Sequence, residues 1–464
     1  MTPWLTRATI QLALPTLLAG CATYSELPLP ERPSLAADVA SLRHEGVVIA
    51  PRLSVEAISL LALENSPDLV AVRAQAGVSR AQLLQAGLPP NPSVTGAFLP
   101  LLAGIPPTLS STHAFNAGLS YDIRSLITLH NRRRAAHEAA DQVNAQILWQ
   151  EWQTVGQARL FAVDLIEVAR TLALFRQTRQ LLADRNAHSQ AALANGNTTL
   201  SVTAPDLAAL QSAITQTDSL ERLQLSRRHQ LAALLGLEPD APFELVRVPE
   251  LLQLDRQRVL AWLPTIADRR PDLVALRLGY LSENARLRGA ILNQFPNLSI
   301  GVVGGSDNSN IRNIGPQITL DLPVFDHNQG GVALERATRR QLHDEYLARL
   351  DASVGQIRAL LTENDLLEQQ LDRVKRDRAG VDDSARRAQA AFAAGNIDER
   401  SAVDLISARL TKEAEIVSLE QSLLESHVAI ATLVGAGMRP VSLPPEIARG
   451  AARSTTARIA GARS

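Results

Sequence analysis

Charged side chains gather just beyond two Gly-Asn turns, Gly196-Asn197 and Gly395-Asn396. Asp398, Glu399 and Arg400 follow the second turn directly, Asp404 stands nine residues past Gly395, and Asp206 sits beside Pro205 after the first turn. A cluster of carboxylates attracts cations and repels anions at close range. A carboxylate in the first turn of a helix merely complements the partial positive charge there, and the residues alone leave both readings open. Nothing else along the chain points to catalysis. The nine histidines fall into no metal-ligand spacing, and no Ser-His-Asp, Cys-His or paired-carboxylate arrangement is evident. No enzymatic activity, metal site or cofactor is therefore expected. Arg132, Arg133 and Arg134 read as a solvated helix start, with lipid head groups or a lumen as the alternative. The Val302–Ser306 run VVGGS lacks a phosphate-binding lysine and opens no helix, so it reads as a strand tip.

The elements that would position these charges are mostly helical. The chain has 464 residues and a net charge of −1, with only 3% aromatic residues. Near-neutral charge speaks against a nucleic-acid partner, which calls for a basic surface. At the N-terminus, Arg7 precedes an apolar run from Ala8 to Ala19 that is too short to span a bilayer, and small residues follow it. This is the pattern of a secretory signal, residues 1–20. The run ends in Leu18-Ala19-Gly20-Cys21, which resembles the bacterial lipobox, and the resemblance implies cleavage before Cys21 and its acylation. Ala22 in place of an aspartate favours the outer membrane in that class. Residues 21–52, proline-rich from Leu27 to Pro33, read as a lipid-anchored extended segment.

The remainder is a duplication. NSPDLVAVRA at Asn65 returns as RRPDLVALRL at Arg269, 204 residues on, and Pro92 and Pro296 keep the same offset. Further along, Ser120–Ile123 matches Thr319–Leu322, His130-Asn131 matches His327-Asn328, and LANGN at Leu193 matches FAAGN at Phe392. The matched histidines suggest a structural role at a strand-to-helix corner. The first unit spans 53–240 and the second 263–440, with a linker at 241–262 and a flexible tail at 441–464.

Each unit predicts a helix (Pro67 to Gly87; Pro271 to Asn293), a β-hairpin, a very long helix (Arg132 to Ala194; Gly331 to Ala394), and a return helix ending at Gly236 or Gly435. Phe115, Ala117, Leu119, Tyr121 and Ile123 alternate with small or polar residues, as do Ile318, Leu320 and Leu322. Such strands separate water from something apolar, either a covering helix or lipid. Helices of about 63 residues reach roughly 95 Å and must pack laterally. The last return helix carries the stripe Val403, Ile406, Leu410, Ala414, Val417, Leu424, Val428 and Ala431, broken at Gln421. A second stripe runs through Ile416, Leu419, Leu423 and Ile430, so this helix has a neighbour on each side. If the strands span a membrane, four per chain cannot close a barrel, whereas three chains would supply about twelve.

The tandem unit, the repeated PDLVA, Asn91-Pro92-Ser93 and the Gly-Asn turns resemble the TolC-type outer-membrane efflux family, and GLPPNPSV before the first strand resembles its heavy-metal branch. That resemblance implies a mainly α fold: long antiparallel helical hairpins forming a trimeric α-barrel, with four transmembrane strands per chain in a 12-stranded β-barrel. It implies a homotrimeric conduit for small solutes, metal cations or drugs, anchored in the bacterial outer membrane and extending into the periplasm. The implied partners are a periplasmic adaptor, docking at Gly196, Asn197, Gly395 and Asn396, and an inner-membrane pump of the resistance-nodulation-division type. It makes Asp404, with Asp398, Glu399, Arg400 and Asp206, candidates for a periplasmic gate, although VDLIS replaces the family's LDAQ run at Asp404. The alternatives are the outer-membrane part of a type I protein secretion system and a non-conducting periplasmic coiled-coil lipoprotein.

Overall fold

The computed structural model describes residues 24–45, 49–100, 113–251 and 255–438; the segment 1–20, Cys21 and the tail 441–464 lie outside them. Two copies of one element order follow each other. The first holds α1 (Val55–Asn65), α2 (Pro67–Gly87), β1 (Ser93–Leu99), β2 (Ala114–Asp122), α3 (Ile123–Ala194) and α4 (Leu200–Leu235). The second holds α5 (Arg256–Trp262), α6 (Ile266–Arg269), α7 (Pro271–Leu292), β3 (Asn297–Ser306), β4 (Arg312–Asp321), α8 (Gln329–Ala393) and α9 (Glu399–Val434). A short 3-10 turn at Leu263–Thr265, carrying Pro264, splits α5 from α6, where the first copy has the single helix α1. The stretch read as a linker, 241–262, thus contains α5, whose Val259 is fully buried.

Helix α3 runs for 72 residues, about 108 Å at 1.5 Å per residue, and begins nine residues before the expected Arg132. Asp122 explains the early start. It ends β2 and caps α3 by accepting from the Ser125 backbone N–H at 3.1 Å, so strand passes into helix without a loop. Ile123, expected as the last strand residue, is therefore the first helical one. The second copy differs: Pro323 disfavours a helical Leu322, and α8 starts only after Asn328. Arg132 donates to the carbonyls of Ala86 and Leu88, capping the C-terminus of α2 rather than sitting free in solvent.

Two apolar cores hold the copies, each where a long helix passes the end of its return helix. The first gathers Ile58 and Leu61 of α1, Ala158, Ala162 and Ile166 of α3, and Leu231 and Leu235 of α4. Val39 and Leu42 join it, so the segment read as extended, 21–52, is anchored in this core over its second half. Parallel bridges Ala36–Leu237 and Leu53–Leu245 complete the attachment. The second core combines Val259, Ile266 and Leu273 with Ile357 and Leu361 of α8 and Ile430 and Val434 of α9. The copies meet along the seam of α3 and α9. Trp152 donates to the Thr432 carbonyl at 3.0 Å. Opposite it, a Cβ on Gly156 would lie 2.6 Å from Thr432 Oγ1, so the close approach of the two helices requires glycine.

Candidate functional site

The four strands form one antiparallel sheet in the order β1-β2-β3-β4, the two hairpins joined by β2 and β3. Registered pairs share a face, which sorts most of the side chains. Val94, Leu119, Val302 and Pro316 lie in one row across the sheet, with Tyr121, Ile300 and Ile318 in another row on the same face. Thr95, Asn116, Ser120, Ser299, Gln317 and Thr319 occupy the opposite face. The apolar face stays uncovered: Val94 is 79% exposed, Ile314 81% and Ile318 71%. The two outer strands, β1 and β4, each pair on one side only among the described residues. Strands of 7 to 10 residues extend about 24–34 Å, the thickness of a bilayer's hydrocarbon core. No helix among the described residues is long and apolar enough to cross a membrane.

At the far end of the helices, both Gly-Asn turns close in the same way. Gly196 and Gly395 each take φ of +72°, a conformation that disfavours any side chain. Asn197 and Asn396 donate back to the carbonyls of Ala192 and Ala391 at 2.9 and 2.8 Å. Apolar Leu200 and Phe392 are exposed beside these turns.

Just inside the turns lies a buried ion network. Arg185 of α3, only 6% exposed, places Nε 3.2 Å from Asp206 Oδ1 of α4 and its terminal nitrogen 2.5 Å from Asp404 Oδ1 of α9. Arg400 of α9 reaches Asp206 Oδ2 at 2.7 Å and also donates to the Val202 carbonyl. Ser189 donates to the same Asp206 oxygen at 2.5 Å. His188 contacts Glu399 at 2.8 Å. Asp398 caps α9, accepting from the Ser401 backbone N–H at 2.7 Å, and the Ser401 hydroxyl and N–H hold its carboxyl below the usual carboxylate range. Beneath the network, Leu182, Ala213 and Val403 form an apolar floor from the same three helices.

Asp206, Asp404 and Arg400 therefore meet in one cluster, Glu399 lies at its border, and Asp398 serves as a helix cap. Asp206 is the hub rather than a first-turn charge, being the seventh residue of α4 and 1% exposed. Arg185, His188 and Ser189 were missed from sequence. Their signal is the i, i+3 and i+4 spacing on the last turns of α3, which the tight turn folds back against the start of α4.

No protein-family model matches the chain, and no curated protein matches it in sequence. Solved structures do match it in fold. The CmeC outer membrane channel of Campylobacter jejuni aligns over 93% of this chain and 98% of its own, with a TM-score of 0.69 and 16% identity. The open state of the MtrE outer membrane channel of Neisseria gonorrhoeae aligns over 91% and 99%, with a TM-score of 0.66 and 16% identity. CusC, which forms a transmembrane channel, aligns over 90% and 100%, again with a TM-score of 0.66 and 16% identity. The chain has the fold of these outer-membrane channels.

Proposed function

We propose that the chain is a subunit of a TolC-type outer-membrane efflux channel. The observation that carries this reading is the uncovered apolar face of a sheet with two open edges, on a fold shared with outer-membrane channels. Lipid satisfies the apolar face, but open strand edges are not tolerated in lipid. Copies of the chain must therefore pair β4 of one with β1 of the next, and three copies close a barrel of about twelve strands. The long helices continue the barrel into the periplasm. Acylated Cys21 tethers the chain to the outer membrane. The turns at Gly196-Asn197 and Gly395-Asn396, with exposed Leu200 and Phe392 beside them, offer the end at which a periplasmic adaptor docks. Transport is passive, driven by an inner-membrane pump of the resistance-nodulation-division type, and the cargo is a small solute, a metal cation or a drug.

The ion network acts as the gate. It ties α9 to both α3 and α4 at the narrowing end, so widening that end requires α9 to leave Arg185 and Asp206. Purified wild-type protein should assemble as a trimer and give small single-channel conductance in planar bilayers. Arg185→Ala, which removes the buried cation that α3 places against both Asp206 of α4 and Asp404 of α9, should raise that conductance several-fold. A folded monomer that never conducts, with or without the substitution, would instead make the chain a scaffold.

A further inference from the structure

Midway along the α3–α9 seam, Asp164 of α3 and Glu425 of α9 lie within hydrogen-bonding reach of each other. Gln421, the residue that interrupts the apolar stripe of α9, bridges them. Its Nε2 donates to Glu425 Oε1 at 2.7 Å and to Asp164 Oδ1 at 3.4 Å. Asp164 is 8% exposed, and Arg227 of α4 places Nε 3.2 Å from its other oxygen. Around the pair, Glu167 of α3 is fully buried against Arg170 at 2.7 Å. Arg170 also reaches Glu420 of α9, which takes a second cation, Lys375 of α8, at 2.9 Å. From α8, Glu368 is bonded by Asn364 and faces His427, whose imidazole burial pushes toward its neutral form.

The charges do not balance. Asp164, Glu167, Glu420 and Glu425 are four carboxyl groups against the three cations Arg170, Arg227 and Lys375, and Glu368 adds only negative charge. Two carboxylates in contact with limited access to water cannot both stay ionised cheaply, and a proton between them removes the repulsion. We propose that Asp164 and Glu425 hold one shared proton across the α3–α9 seam, and that its loss loosens the seam; only the consequence for opening rests on the channel reading. Burial and the neighbouring Asp164 push Glu425 up to about 7. The folded state thus keeps a proton that an ordinary glutamate would have lost, so the seam is tightest below the ordinary glutamate value, weakens as pH rises from there to about 7, and levels off above it.

Hydrogen–deuterium exchange of the full-length protein in detergent tests this directly, read on peptides covering 417–431 of α9 from about pH 6 to about pH 8, after correction for intrinsic exchange. The wild type should open several-fold more often at the upper pH. Glu425→Gln and Asp164→Asn, each leaving at most one ionisable member, should flatten the response. Infrared difference spectra over the same range should show one fewer protonated carboxyl lost per chain in Glu425→Gln than in the wild type. Wild-type exchange that ignores pH, or a Glu425→Gln protein that follows the wild type, would overturn the proposal. A pH response in a protein that never conducts supports the shared proton and counts against the channel instead.

Discussion

Two charged clusters lie along the same seam between α3 and α9, and they are built on opposite terms. At the tip, Arg185 and Arg400 face Asp206 and Asp404, two cations for two carboxylates. Midway, four carboxyl groups face three cations. A balanced cluster has a counter-charge for every carboxylate and is broken by pulling partners apart. An unbalanced one holds together by retaining a proton, and is loosened by chemistry at constant geometry. On the proposed gate and shared proton, the seam has one lock that answers to force and one that answers to pH.

The largest effect should come from the hub of the balanced cluster. Asp206→Ala takes away the buried partner of Arg185 and leaves it only the mostly exposed Asp404, and removing one partner of a buried pair costs about 3–5 kcal/mol. Thermal unfolding should register the loss, with the same drop at mildly acid and mildly alkaline pH. A drop confined to one side of neutrality would erase the distinction between the clusters.

Next in size, a second unbalanced pair offers an independent check. Glu283 of α7 is 3% exposed, and burial, helped by Glu335 of α8, pushes it up to about 7. Its nearest cation is the mostly exposed Arg286 at 3.9 Å. The folded chain then holds a proton that the unfolded chain releases near the ordinary glutamate value. Stability should fall as pH rises between that value and about 7, and level off above it. Glu283→Gln should remove its own share of this slope, leaving that of Glu425, and stabilise the protein on the alkaline side; an unchanged slope would show that the pair is not a source.

Seam packing ranks third. Gly156→Ala drives a methyl group onto Thr432, and overpacking of this kind costs about 1–3 kcal/mol. Adding Thr432→Ala should restore most of the lost melting temperature. Failure of the double variant to recover would place the strain elsewhere than at the α3–α9 crossing.

The unequal legibility of these features has a physical basis. The duplication, the helices opening at Pro67 and Pro271, and the alternation from Phe115 to Tyr121 are local patterns, and each reads directly along the chain. The start of α3 was misplaced because a single residue, Asp122, both ends a strand and caps a helix, leaving no loop residues to mark the boundary. Gln421 was visible only as a flaw in an apolar stripe, since its partner Asp164 is 257 residues away. Arg185 lay hidden for the same reason, 219 residues from Asp404. Pairings across the seam depend on the rotation of each helix about its axis, which periodicity constrains only for apolar residues.

That rotation sets the smallest prediction. Asp206 is the seventh residue of α4, and Asp404 the sixth of α9, although both follow equivalent turns. One residue turns a helix by about 100°. The slip is enough to bury the Asp206 side chain to 1% exposure while leaving that of Asp404 63% exposed, although both touch Arg185. Exposed ion pairs contribute about 0–1 kcal/mol, because water competes for both charges. Asp404→Asn should therefore shift the melting temperature little, and much less than Asp206→Asn. Its effect on conductance should still exceed its effect on stability, because the Arg185–Asp404 contact joins α9 to α3, whereas Arg185–Asp206 joins two helices of the same hairpin. Equal losses of stability from the two asparagine variants would mean that burial does not separate the two aspartates, and the one-residue slip would then have no energetic meaning.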